Sequence, residues 1–147
     1  MKLLFFLFSF LCSVAYGQIS IQELISESKM DSEGFEIYAL NKGFSFYKLV
    51  NDEDFKGIAM FNGGEDGNER YLIWYSKFFN DKNHSSYQTA NTSELEKLYK
   101  ELGSLGFKLD RRGEFEEFYT KDYSRGKENV AIFIKTDWVE IAYSSSE

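Results

Sequence analysis

The stretch SELEKLYKELGSLGFKL, residues 93–109, constrains the fold of this chain most, because its start, buried face and end are all written in residue chemistry. Ser93, with Glu96 three positions on, has the spacing of a capping box, which satisfies two amides at a helix start. Leu95, Leu98, Tyr99, Leu102 and Leu105 recur at helical spacing and predict one apolar stripe. Gly106 can take the left-handed backbone that ends a helix, and Phe107 opens an extended run. A fainter copy lies upstream in residues 32–46, SEGFEIYALNKGFSF, where Phe35, Tyr38 and Ala39 supply the face and Gly43-Phe44 the exit. A third, short helix is expected ahead of both, since Ser20 and Glu23 repeat the capping-box spacing before Leu24 and Ile25.

Strands are expected after each Gly-Phe exit. In the first half they fall at 44–50, 57–62 and 69–79, with polar turns at 51–54 and in the glycine-rich 63–68. Residues 80–91 read as a long polar connection with a brief strand around Tyr87. In the second half, strands at 107–110, 114–121, 129–136 and 138–144 are separated by turns at 111–113 and 122–128. The chain is therefore expected to be α+β, with two α-β-β-β units that each leave room for a fourth strand. The first unit covers about 30–90 and the second about 92–144. One apolar stripe per helix and one inner face per set of strands predict an antiparallel sheet with its helices on one side.

That arrangement leaves the other face open. If Leu72, Trp74, Val130, Ile132, Ile134, Val139, Ile141 and Tyr143 point at the helices, the alternation sends Tyr71, Ile73, Tyr75, Ala131, Phe133, Lys135, Trp138 and Glu140 the other way. Tyr71, Tyr75, Phe133 and Trp138 are the candidate partner-binding residues, because aromatic side chains offer large contact area with little entropy to lose.

Residues 1–17 have the short basic start, apolar run and small-residue end of a signal peptide, which predicts one mature domain over 18–147 and a periplasmic or extracellular location. The only cysteine, Cys12, would leave with that peptide, so no disulfide or thiol nucleophile is expected. The net charge of −7 disfavours nucleic acid and anionic membrane surfaces, leaving an unidentified protein or peptide as the expected partner and a homodimer as an alternative.

Signals for chemistry are sparse. His84 is the only histidine, zinc sites of Cys and His are excluded by count, and no phosphate loop or dinucleotide fingerprint is present, so no cofactor or metal is expected. The acidic loop with Glu65, Asp66, Asn68 and Glu69 does not follow the EF-hand order. Glu114, Glu116 and Glu117 are the candidates for a small carboxylate-dependent hydrolase or a sugar-binding protein.

The run Phe35, Tyr38, Lys42-Gly43-Phe44 behind a signal peptide resembles short exported bacterial proteins of unknown function, which implies no activity. In layout alone, tandem helix-plus-sheet repeats with an open aromatic face resemble the β-lactamase inhibitory protein. That likeness is one of architecture and carries no residues over. The open aromatic face itself leads to the expectation of a non-catalytic binding module, with an inhibitor or immunity protein for an exported hydrolase as a special case.

Overall fold

A computed structural model describes residues 18–51, 55–63, 67–77 and 83–146. The expected signal peptide, the turn at 52–54, Glu65, Asp66 and Phe78 lie outside the described residues. The described elements are α1 (Ile21–Glu27), α2 (Ser32–Asn41), β1 (Ser45–Asn51), β2 (Phe55–Asn62), β3 (Arg70–Lys77), β4 (Asn83–Thr89), α3 (Glu94–Ser104), β5 (Lys108–Phe115), β6 (Phe118–Arg125), β7 (Glu128–Lys135) and β8 (Trp138–Ser145). The fold is α+β. The strands form one eight-stranded sheet in the order β1-β2-β3-β4-β8-β7-β6-β5, antiparallel throughout. Each half is a four-stranded meander behind a helix, and the halves join where β4 pairs with β8.

The two helix exits are built alike. Gly43 and Gly106 have φ of 83° and 82°, which lets the chain reverse without a Cβ clash. The Phe44 N–H donates to the Ala39 carbonyl at 3.0 Å, and the Phe107 N–H donates to the Leu102 carbonyl at 3.0 Å. These bonds, with Gly43 N–H to Leu40 O and Gly106 N–H to Gly103 O, form a Schellman motif at both ends. Corresponding residues carry the same burden: Phe35 and Leu98, Ala39 and Leu102, and Phe44 and Phe107 are all buried. Each edge strand then carries a bulge at the matching place, between Phe46 and Lys48 in β1 and between Leu109 and Arg111 in β5.

The helices cover one face and share a single core with it. Ile21, Leu24, Phe35, Ala39, Leu98 and Leu102 pack with Ile58, Met60, Leu72, Trp74, Tyr87, Val130, Ile132, Val139, Ile141 and Tyr143. The capping box of α1 forms, the Ser20 hydroxyl accepting from the Glu23 N–H and the Glu23 carboxylate accepting from the Ser20 N–H. The Glu101 carboxylate of α3 accepts from the Ile21 and Gln22 amides, so the second half holds the start of α1 as well.

Four expectations need correction. The turn expected at 122–128 is only Gly126-Lys127, because β6 runs through Asp122 to Arg125 and β7 begins at Glu128. The capping box at Ser93 does not form: Ser93 already has helical backbone, its N–H and hydroxyl donate to the Asn91 side chain, and Glu96 pairs with Lys100 instead. Residues 111–113 are not a turn, because β5 runs through them and Gly113 pairs with Thr120. The chain reverses at Glu116-Glu117, with Glu116 at φ 53°. Finally, the polar connection around Tyr87 is the full strand β4, at the centre of the sheet. Its polar side chains are tolerated there because the helix layer supplies partners. The Ser85 hydroxyl donates to the Leu24 carbonyl at 2.7 Å, and the Tyr87 hydroxyl donates to Glu94 at 2.7 Å.

Candidate functional site

Directly opposed residues of antiparallel strands lie on the same face, so the register fixes what the open face presents. One row crosses it as Phe61, Tyr71, Gln88, Glu140, Phe133 and Thr120 on β2, β3, β4, β8, β7 and β6. The adjacent row reads Ala59, Ile73, Ser86, Ala142, Ala131 and Asp122 on the same strands. The second row is built mainly of small side chains, and Ala59 and Ser86 are only 1% and 2% exposed although no helix packs over them. They are sunk between larger neighbours. The face therefore has a low floor across the middle of the sheet and a bulky wall along one side.

Rings make up much of that wall. The β1 bulge sets Tyr47 and Lys48 together opposite Ala59, and the Tyr47 ring lies 5.4 Å from Tyr71 and 6.3 Å from Phe61. Phe61 and Tyr71 are 5.0 Å apart, and Tyr71 reaches across β4 to Trp138 at 5.9 Å. Phe133 forms a separate edge-to-face pair with Phe118 at 6.4 Å. Of the four candidate residues, Tyr71 and Trp138 are thus in contact, spanning the joint between the halves. Phe133 stands on the other side of Glu140, and Tyr75 lies apart, opposite Gly57 and His84. Gly57 is needed there because a methyl group would run into the Trp74 carbonyl oxygen and the Tyr75 ring.

Glu140 is the acidic group of the wall. Burial raises its carboxyl above the usual range, while Gln88 and Ser86 beside it pull the other way. Tyr71 is also raised, first by burial and then by the charge of Glu69. At the far flank, Arg111 and Asp122 pair at 2.7 Å across β5 and β6.

The carboxylates proposed for hydrolysis sit elsewhere. Glu114 is on edge strand β5, directly opposite Tyr119, and Glu116 and Glu117 are in the turn that follows, so that all three line one open pocket with Tyr119 and Lys135. Glu117 is paired with Lys135 at 2.7 Å. Among the described residues, no group of three or more His, Cys, Asp or Glu side chains is placed to hold a metal ion, and no helix is long and apolar enough to cross a membrane.

Tyr47, Phe61 and Phe118 escaped the sequence reading. Period-two alternation on β2 was available to find Phe61, since Ile58 and Met60 mark the inner face. Tyr47 gave no such signal, because the bulge breaks the alternation at that residue. No protein-family model, no curated protein and no solved structure matches the chain.

Proposed function

We propose that this chain is an exported, non-catalytic binding module that receives a protein or peptide segment across the open face of its sheet. The observation that carries the reading is the linked cluster Tyr47-Phe61-Tyr71-Trp138, beside a floor of Ala59, Ser86, Ala131 and Ala142. The rings come from both halves and stand together on one face beside small residues, which offers an extended segment or a loop an apolar surface to lie against. Such rigid aromatic surfaces lose little entropy on binding. An inhibitor or immunity protein for an exported hydrolase would use the same surface, and the identity of the bound segment separates that case from others.

Selection from a displayed peptide library tests the reading. Wild-type protein is expected to enrich peptides that the Tyr71→Ala, Trp138→Ala double variant no longer binds. Because both side chains stand on the face away from the core, that variant should unfold within a few degrees of wild type, as roughly 1 kcal/mol of cross-strand contact would cost. Peptides bound equally by both proteins, or a collapse in stability, would overturn it.

A further inference from the structure

We propose that Glu140 is the seat for a basic side chain, lysine or arginine, of the segment bound on the open face, with the rings of Trp138 and Phe133 flanking the cation. This rests on the reading that the open face is a binding surface. Glu140 occupies the middle of the wall, opposite Gln88 on β4 and Phe133 on β7, two residues from Trp138 on its own strand. It belongs to the strand pair that joins the halves, so a guest lying across the sheet in either direction passes over it.

Among the described residues the carboxylate has no ion-pair partner. The described ion pairs engage Glu23, Glu94, Glu96, Glu117, Asp122 and Glu128, and no described Lys or Arg reaches Glu140. Its nearest polar neighbours are an amide and a hydroxyl. Of these, Ser86 is buried and its hydroxyl has no partner of good geometry among the described residues, though it is close enough to help hold the Glu140 charge. A half-buried carboxylate in that setting is costly while it stands alone, and a cation brought by a ligand relieves the cost. Phe133 directly opposite and Trp138 two residues along the strand share this face with Glu140, and electron-rich aromatic faces favour a cation over a neutral donor. The net charge of −7 supplies the long-range counterpart, drawing basic segments toward the protein and turning acidic ones away.

The test uses the same displayed library with wild type, Glu140→Gln, and Tyr71→Ala with Trp138→Ala. Peptides enriched by wild type should share a lysine or arginine at one position. Replacing that residue by norleucine or citrulline should weaken binding about tenfold or more, as expected for a charge-assisted contact. Against Glu140→Gln, the same replacement should change little. The peptide replacement leaves the protein untouched, so the outcome stands even if Glu140→Gln folds poorly. Enriched peptides without a shared basic residue would overturn the role of Glu140 while leaving the binding face intact. Failure to enrich any peptide sensitive to Tyr71→Ala with Trp138→Ala would overturn both. Concentration-dependent dimerisation abolished by that double variant would make a second copy the occupant, and would overturn the basic-segment proposal as well.

Discussion

Removing the Glu94 carboxylate should cost more stability than any single change on the open face. Glu94 opens α3 in the second half, and it is 4% exposed. Arg70 of β3 in the first half, 5% exposed, donates to it through Nε and Nη2 at 3.2 and 3.0 Å. The Tyr87 hydroxyl of β4 donates to its other oxygen at 2.7 Å. The group therefore binds both halves together through charges withdrawn from water. In Glu94→Ala the guanidinium stays buried without its carboxylate, and breaking such a pair costs about 3–5 kcal/mol. For a domain of this size that is a large part of a total of roughly 5–15 kcal/mol, and it lowers Tm by roughly 10–20 °C. Tyr87→Phe leaves the ion pair in place and should lose about 1.5–3 kcal/mol, one charge-assisted hydrogen bond. Replacing both charges, Arg70→Met with Glu94→Leu, should recover most of the loss, since an apolar pair has no unmatched charge to bury. Urea unfolding of the four proteins and a double-mutant cycle on Arg70 and Glu94 read these differences directly. A Glu94→Ala variant within about 1 kcal/mol of wild type, or full additivity of the two charge deletions, would refute the argument that the pair is dry and coupled.

A second buried carboxyl should behave in the opposite sense. Burial holds Glu27 of α1 well above the usual carboxylate range, with a smaller contribution in the same direction from Glu23, and neither of its oxygens has a hydrogen-bond partner of good geometry among the described residues. The folded state therefore keeps its proton longer than the unfolded state, whose value is near 4.5, so the contribution of Glu27 to stability is fully present below that pH and is lost as pH rises toward the folded pKa. Glu27→Gln should flatten that slope in urea midpoints measured from pH 4 to 8, and an unchanged slope would contradict it. Gly57→Ala should destabilise by about 1–3 kcal/mol, because the Trp74 carbonyl oxygen it meets is backbone and cannot rotate away; a neutral result in thermal unfolding would show that β2 can shift. Glu116→Gly should stabilise by roughly 1 kcal/mol, since glycine adopts the φ of 53° without a Cβ penalty, and a loss of stability on denaturation would show that the Glu116 side chain matters more than its backbone.

The sequence was most legible where one residue type has one physical use. Gly43 and Gly106, each followed by Phe, marked both helix exits, and the alternation on β3, β7 and β8 separated Leu72, Ile132 and Ile141 from Tyr71, Phe133 and Glu140. Legibility failed where partners came from elsewhere in the fold. β4 looked like a loop because Ser85 and Tyr87 are polar, and only the carbonyl of Leu24 and the carboxylate of Glu94 make them core residues. The turn at Glu116 was obscured for a related reason. Arg111-Arg112-Gly113 has turn composition, but pairing with β6 keeps it extended and pushes the reversal onto a glutamate in left-handed backbone. Tyr71 and Trp138 were visible as outward residues. Their contact across β4 depends on β8 lying next to β4, a long-range pairing that local periodicity does not contain.

The account turns on which face of the sheet meets a partner, and site-specific photo-crosslinking in the protein's own cells asks that directly. A benzophenone amino acid placed at Tyr71 puts the reactive group in the aromatic cluster, and the same group at Leu40, which is 57% exposed on α2, samples the helix side. The account predicts an adduct at Tyr71 with a partner segment carrying lysine or arginine, diminished by Glu140→Gln, and none of that adduct at Leu40. Crosslinking to the same partner only from Leu40 would contradict it, and so would adducts at Tyr71 that join only two copies of this chain.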